Sequence, residues 1–197
     1  MKEPEPLVPK YGGYRKLKSY RTAQLVQDFT ELFCEQYVDE ESRTYDRMMQ
    51  AAHSAAQKIA EGSVAGEKSK KSELKLTNLG RASLEELRRD YEGFLQQQGL
   101  PLWDVEDPRH AALTAGRPVK MDDVMQWIDW VHAESGTSST APGEDADAET
   151  VANGALILIA LAFAHLDRQL SAQERAVAHE LRLAERLRRR RLADWPE

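Results

Sequence analysis

The run between Tyr45 and Ala60 constrains this chain more than any other. Tyr45, Met48, Met49, Ala52, Ala55, Ala56, Ile59 and Ala60 recur at i, i+3, i+4 and i+7, the spacing of one helix face. Ala52, Ala55 and Ala56 hold the centre of that face, with Ala51 and Ser54 beside them. Side chains this small admit a neighbouring helix at short distance, so the helix is predicted to lie deep within a bundle. Ser42 or Thr44 is placed to cap its start. Gly62 is placed to take the left-handed conformation that ends it.

A basic connection, Lys68-Ser69-Lys70-Lys71, leads into a longer helix with Leu76, Leu79, Leu84, Leu87, Tyr91, Phe94 and Leu95 on one face. Gln96-Gln97-Gln98-Gly99 and then Pro101 stop it. Tyr45 to Leu95 therefore reads as a helical hairpin.

The flanking sequence extends the pattern. Residues 1–14 carry three of the eight prolines and end near Gly12-Gly13, a flexible or extended lead. From Arg15 a helical face forms from Leu17, Tyr20, Ala23, Leu25, Val26, Phe29, Leu32, Phe33 and Tyr37. Residues 99–149 form an acidic insertion. Within it 100–118 read as a loop, 119–133 as a short helix striped by Met121, Val124, Met125, Ile128 and Val131, and 135–148 as a mobile, turn-rich segment.

A last helix is predicted over 150–192, its core face Val151, Ala155, Leu158, Ile159, Ala162, Leu166 and Leu170. Beyond Ser171 that face thins, and the helix is expected to project past the rest. No strand-like alternation and no repeat of 20 to 50 residues is present. The fold class is all-α: an up-and-down four-helix bundle, with residues 15–98 supplying helices 1–3 and a helical or disordered insertion between helices 3 and 4.

Charge is unevenly placed. The chain has 27 Lys and Arg against 33 Asp and Glu, a net of -6. Residues 99–150 account for eleven acids and three bases, so the remainder is slightly basic at +2. A pI near 5.5 is thus compatible with a polyanion partner for the rest of the chain. The single cysteine, Cys34, excludes an internal disulfide framework and suits a reducing compartment. The N-terminal residues lack the apolar core of a secretory signal. The uninterrupted apolar run Ala155–Phe163 is nine residues, short of the roughly 20 needed to span a bilayer. A cytoplasmic protein is expected.

With these residues laid out, the chain resembles the bacterial four-helix bundle family of 23S rRNA intervening-sequence proteins. The resemblance rests on Tyr14-Arg15-Lys16-Leu17-Lys18-Ser19-Tyr20, the Ala-rich helix ending Ile59-Ala60-Glu61-Gly62, Ser69-Lys70-Lys71-Ser72-Glu73-Leu74, and Ala82-Ser83-Leu84-Glu85-Glu86-Leu87. Residues 152–170, with Trp103-Asp104 and Asp107-Pro108, resemble the four helix bundle suffix subgroup. Where that subgroup often has a Glu-Gly-Gly break, this chain continues as Arg175-Ala176-Val177-Ala178-His179-Glu180, which implies a longer unbroken helix. The resemblance implies a homopentameric ring. It also implies kinship with the accessory protein of diversity-generating retroelements, which binds nucleic acid and a reverse transcriptase.

Candidate sites follow from charge and position. Glu61 is expected in the last turn of its helix, where the negative end of the macrodipole opposes a carboxylate by a few tenths of a kcal/mol. An Arg from another helix or subunit, or free amides at the start of the next helix, would offset that; the alternative is an exposed glutamate that tolerates the penalty. Lys68, Lys70, Lys71 and Lys75 cluster at a helix start, where exposed amides and cations suit phosphate. The densest positive feature is Arg182, Arg186, Arg188, Arg189, Arg190 and Arg191, which suits nucleic acid, the acidic insertion, or simply the helix C-terminal dipole. Gly62, Trp127 and Trp130 are assigned structural or interface roles.

The five histidines show no HxxxH or HExxH spacing, and there is no GxSxG, P-loop or GxGxxG. No metal, cofactor or catalytic group is assigned. The function read from the sequence is a non-enzymatic oligomeric scaffold associated with RNA or DNA. The alternative is a protein-interaction ring whose acidic insertion recruits a partner.

Overall fold

The structure, a computed structural model, describes residues 13–134 and 144–193, with side chains over 13–134 and 148–190. It is all-helical, with no strand among those residues. A short 3-10 turn, Gly13–Lys16, precedes α1 (Lys18–Tyr37), α2 (Arg43–Ala65), α3 (Lys70–Gln98), α4 (Pro108–Gly116), α5 (Met121–Glu134) and α6 (Glu144–Ala193). Residues 1–12, and with them most of the expected proline-rich lead, lie outside the described residues, as do 135–143 of the segment expected to be mobile. The remaining part of that segment, 144–148, is the start of α6.

α1 packs against α2 and α6, and α3 packs against the same two, so these four long helices close around one core. The contacts run in opposite senses along neighbouring helices. From α1 to α6, Ser19 donates to Gln169, Thr22 meets His165, and Phe29 lies near Gly154. From α2 to α3, Arg47 meets Asp90, Ser54 meets Ser83, and Gly62 meets Thr77. From α3 to α6, Gln173 bonds Glu73 and Thr77 while Arg81 pairs with Asp167.

The helix signals explain most boundaries. The Ser42 hydroxyl accepts from the Tyr45 amide at 3.1 Å and starts α2. Gly99 takes φ 66° after α3, and the Leu100 amide donates to Leu95 O at 2.9 Å. That is a Schellman stop, which requires the left-handed residue that glycine adopts freely.

Gly62, by contrast, does not end α2. The helix runs on to Ala65, and Gly62 is buried inside it against α3. A Cβ there would sit 3.3 Å from Glu73 O and 3.2 Å from Thr77 Oγ1. Gly62 serves close approach, not chain reversal. The same holds for Gly80 of α3, where a Cβ would lie 3.0 Å from both Ala55 O and Ile59 Cγ1.

The α2 core face is Met48, Ala51, Ala52, Ala55, Ala56, Ile59 and Gly62, all buried. On α3 the buried positions are Thr77, Gly80, Leu84, Leu87, Tyr91 and Leu95. Leu79 is not among them and stands 44% exposed, because the face turned toward α2 at this level is the small one, Thr77 and Gly80. All seven core residues expected on the last helix are buried. Phe33 joins α1 to α3 through ring contacts with Tyr91 and Phe94, each at 4.8 Å.

Averaged over an 18-residue window, the mean hydropathy of α6 within Ala148–Arg190 reaches 1.6, so one helix is long and apolar enough to cross a membrane by length and composition. The uninterrupted run Ala155–Phe163 understates it. Within the protein, 61% of that window is buried.

The described part of the insertion is docked. The helix α4, in a stretch read as loop, is started by the Asp107 carboxylate, which accepts from the Arg109 amide at 2.9 Å, with Pro108 in the first turn. Trp103 donates from its amide to Asn153 Oδ1 at 2.9 Å and from its indole to Glu149 at 2.6 Å. The Asn153 amide group bridges Pro101 O and Glu149 O. Arg109 lies 3.6 Å over the Trp103 ring and pairs with Asp107 and Glu149. Trp127 of α5 donates to Arg109 O at 3.0 Å and packs edge-on against Trp103. It also covers Gly154, where a Cβ would fall 2.8 Å from the Trp127 ring.

Candidate functional site

Three groups of cations are separated by the fold. The first is the Arg-rich end of α6. After Val177, every residue from Ala178 to Arg190 is exposed. This stretch carries Arg182, Arg186, Arg188, Arg189 and Arg190 against Glu180 and Glu185. Among the described residues one ion pair forms on it, Arg189 with Glu185 at 2.5 Å. At about 1.5 Å per residue the stretch is about 20 Å of helix. Leu181, Leu183 and Leu187 are exposed with it, Leu181 to 66%. Arg191 lies in the helix, and its side chain is outside the described residues.

The second group is the α2–α3 turn. Lys68, Lys71 and Lys75 are exposed, while Lys70 is half-buried and pairs with Glu73 at 3.1 Å. The start of α3 is capped by the chain itself, since the Ser69 hydroxyl accepts from the Ser72 amide at 3.2 Å. Glu73 also accepts from Gln173 of α6. The turn is thus partly neutralised from within.

Glu61 lies one turn before the end of α2, and its partners belong to the same helix. Lys58 Nζ donates at 2.7 Å and Gln57 Nε2 at 2.8 Å. The Lys58 hydrogen bond, chiefly, holds its carboxyl below the usual range, against the opposing effect of burial. Neither an Arg from another helix nor the α3 amides is needed to offset the dipole. Trp127 is buried as described, whereas Trp130 is 39% exposed.

The third group was missed by sequence reasoning. Lys18 and Arg21 of α1, Arg117 of the α4–α5 connection, and His165 and Arg168 of α6 line one pocket of about 540 Å³. The four formal cations are exposed, and none forms an ion pair among the described residues. Thr22 donates to Lys18 O at 3.0 Å, and its oxygen lies 3.0 Å from His165 Nδ1. The imidazole is held below its ordinary pKa by burial first, then by Lys18 and Arg168. A faint signal existed: Lys18/Arg21 and His165/Arg168 are i, i+3 pairs with no acid at helical spacing. That the two pairs face each other is a tertiary fact.

Cys34 is fully buried, and burial, aided by Asp90, pushes its thiol up to about 12. A thiolate is therefore scarce at neutral pH. Among the described residues, no group of three or more His, Cys, Asp or Glu side chains is arranged to hold a metal ion. The clustered cations described above can bind anions. No family model, curated protein or solved structure matches this chain.

Proposed function

We propose that this chain is a non-enzymatic scaffold: an up-and-down four-helix bundle of α1, α2, α3 and α6 that associates with nucleic acid through the projecting end of α6. One observation carries the reading. Thirteen consecutive exposed residues of α6, Ala178 to Arg190, hold five arginines and two glutamates. A rigid basic rod of this kind suits a phosphate backbone, where affinity comes from displaced counterions. The exposed Lys68, Lys71 and Lys75 add a weaker patch that an oligomer would repeat in every subunit. A homopentameric ring, implied by the resemblance to the intervening-sequence proteins, is part of this proposal, as are a cytoplasmic setting and a nucleic-acid enzyme such as a reverse transcriptase as partner.

A second reading has its own observation. Leu181 and Leu187, with Val177 and Ala184, place apolar surface on the same rod. That surface favours contact with a protein, as in an interaction ring without nucleic acid.

Electrophoretic binding to a structured RNA and a DNA duplex across a salt series separates the two. The expected result is binding at low salt that weakens log-linearly with salt. Replacing Arg182, Arg186, Arg188, Arg189 and Arg190 by Ser should lower the slope by about one for each phosphate that is no longer neutralised. Absence of salt-sensitive binding at low ionic strength sinks the nucleic-acid reading. Native mass measurement of the same variant tests whether assembly is independent of the arginines.

A further inference from the structure

Several cations of this protein pair with an acid close by in sequence. Lys58 pairs with Glu61, Arg88 with Glu85 and Glu92, and Lys120 with Asp122. The pocket between α1, the α4–α5 connection and α6 departs from that pattern. Lys18, Arg21, Arg117 and Arg168 converge on it from three elements, and no carboxylate lines it. Like charges gathered without an acid repel one another, and in a chain of net charge -6 acids were available.

Arg117 carries a second cost. It takes φ 49° and ψ 58°, a left-handed conformation that costs a side-chain-bearing residue roughly 1 kcal/mol or more. Its neighbour Gly116 would adopt that conformation freely, and the following Pro118 restricts Arg117 further. The same residue ends α4, its amide donating to Thr114 O at 3.3 Å, and it places a guanidinium at the pocket rim.

We propose that this pocket binds a small soluble molecule carrying a phosphate or diphosphate on a less polar body. Three guanidiniums and an ammonium supply four positive charges, which suit an anion of two to four negative charges. The planar fork of arginine matches phosphate oxygens in pairs. Thr22, buried beside His165, forms part of the wall, with its hydroxyl hydrogen already given to Lys18 O. The uncharged part of the ligand lies along Leu161, Ala164 and Val119. A volume near 540 Å³ falls in the range of roughly 300–1,000 Å³ typical of small-molecule sites. The pocket is separate from the Arg-rich rod, and the proposal stands or falls without it.

The test uses the full chain with three probes, inorganic pyrophosphate, ADP and adenosine, read by calorimetry and by the His165 imidazole signal in NMR. Pyrophosphate and ADP should bind, ADP at least as tightly, and adenosine should not. Bound anion offsets the positive field of Lys18, Arg21, Arg117 and Arg168, so the His165 ring should titrate at higher pH in its presence. Arg21→Gln with Arg168→Gln should weaken pyrophosphate binding at least tenfold. Arg43→Gln with Arg175→Gln, which removes the same charge from exposed sites elsewhere, should change it less than twofold. The proposal is overturned if 10 mM pyrophosphate at low ionic strength leaves the His165 signal unmoved. It is equally overturned if both double variants weaken binding alike, or if only an oligonucleotide, and neither small probe, shifts the ring.

Discussion

At the scale of single residues, Gly80 shows what the small face of α2 is for. The backbone carbonyl of Ala55 and the side chain of Ile59 stand where a larger residue on α3 would go. A carbonyl in a helix cannot swing aside as a long side chain can. Gly80→Val should therefore push α2 and α3 apart and cost about 2–3 kcal/mol, measured as a fall in the urea midpoint. Gly80→Ala should cost less, since alanine recovers about 1 kcal/mol of helix propensity. An unchanged midpoint for the valine variant would mean that the two helices are not in close contact. Sequence made the alanines on α2 legible as a packing face. It pointed to Gly62 as the helix stop, which the structure corrects, because a glycine near a helix end serves equally as a stop or as a point of approach until the neighbour is known.

Among elements, α4 depends most on one side chain. Asp107 caps it through the Arg109 amide and holds the Arg109 guanidinium over Trp103. Chiefly through the Arg109 side chain, its carboxyl is held below the ordinary aspartate value. A carboxyl depressed in the folded state stabilises fully above its unfolded pKa, and that contribution is lost as pH falls through the depressed value. Amide protection in α4 should therefore hold at neutral pH and fall below about pH 4. Asp107→Ala should cost about 1 kcal/mol at neutral pH through removal of the cap. Asp107→Asn, which still caps, should keep α4 while flattening the acid response. Hydrogen exchange at α4 amides reads all three; protection unchanged in Asp107→Ala would remove the cap from the account. The Asp-Pro pair is a start signal available in the sequence, overlooked because nine residues of weak apolar pattern follow it.

For the whole molecule, α6 is two structures in one helix. From Val151 to Leu170 it closes the core against α1 and α3, and after Val177 it is exposed. Leu166→Ala should cost about 2–5 kcal/mol by opening a cavity. Ending the chain after Val177 should change stability by no more than about 0.5 kcal/mol, the scale of ordinary surface changes. Chemical denaturation of both variants checks the contrast. A truncated chain as destabilised as Leu166→Ala would show that the rod packs against something after all.

What the sequence by itself determined is whatever repeats along one chain. Helical periodicity marked the long helices, and Ser42, Gly99 and the thinning of the α6 face marked several of their limits. These are local events, decided within a turn or two by hydrogen bonding and by which side chains are apolar. Only the tertiary structure decided that Trp103 and Trp127 fasten the acidic insertion to Asn153 and Gly154. It alone brought Lys18, Arg21, Arg117 and Arg168 to one pocket, across some 150 residues of chain. Charge has no period to read. Where like charges meet is set by how helices cross, and that follows from the shape of the buried faces rather than from the spacing of the exposed ones.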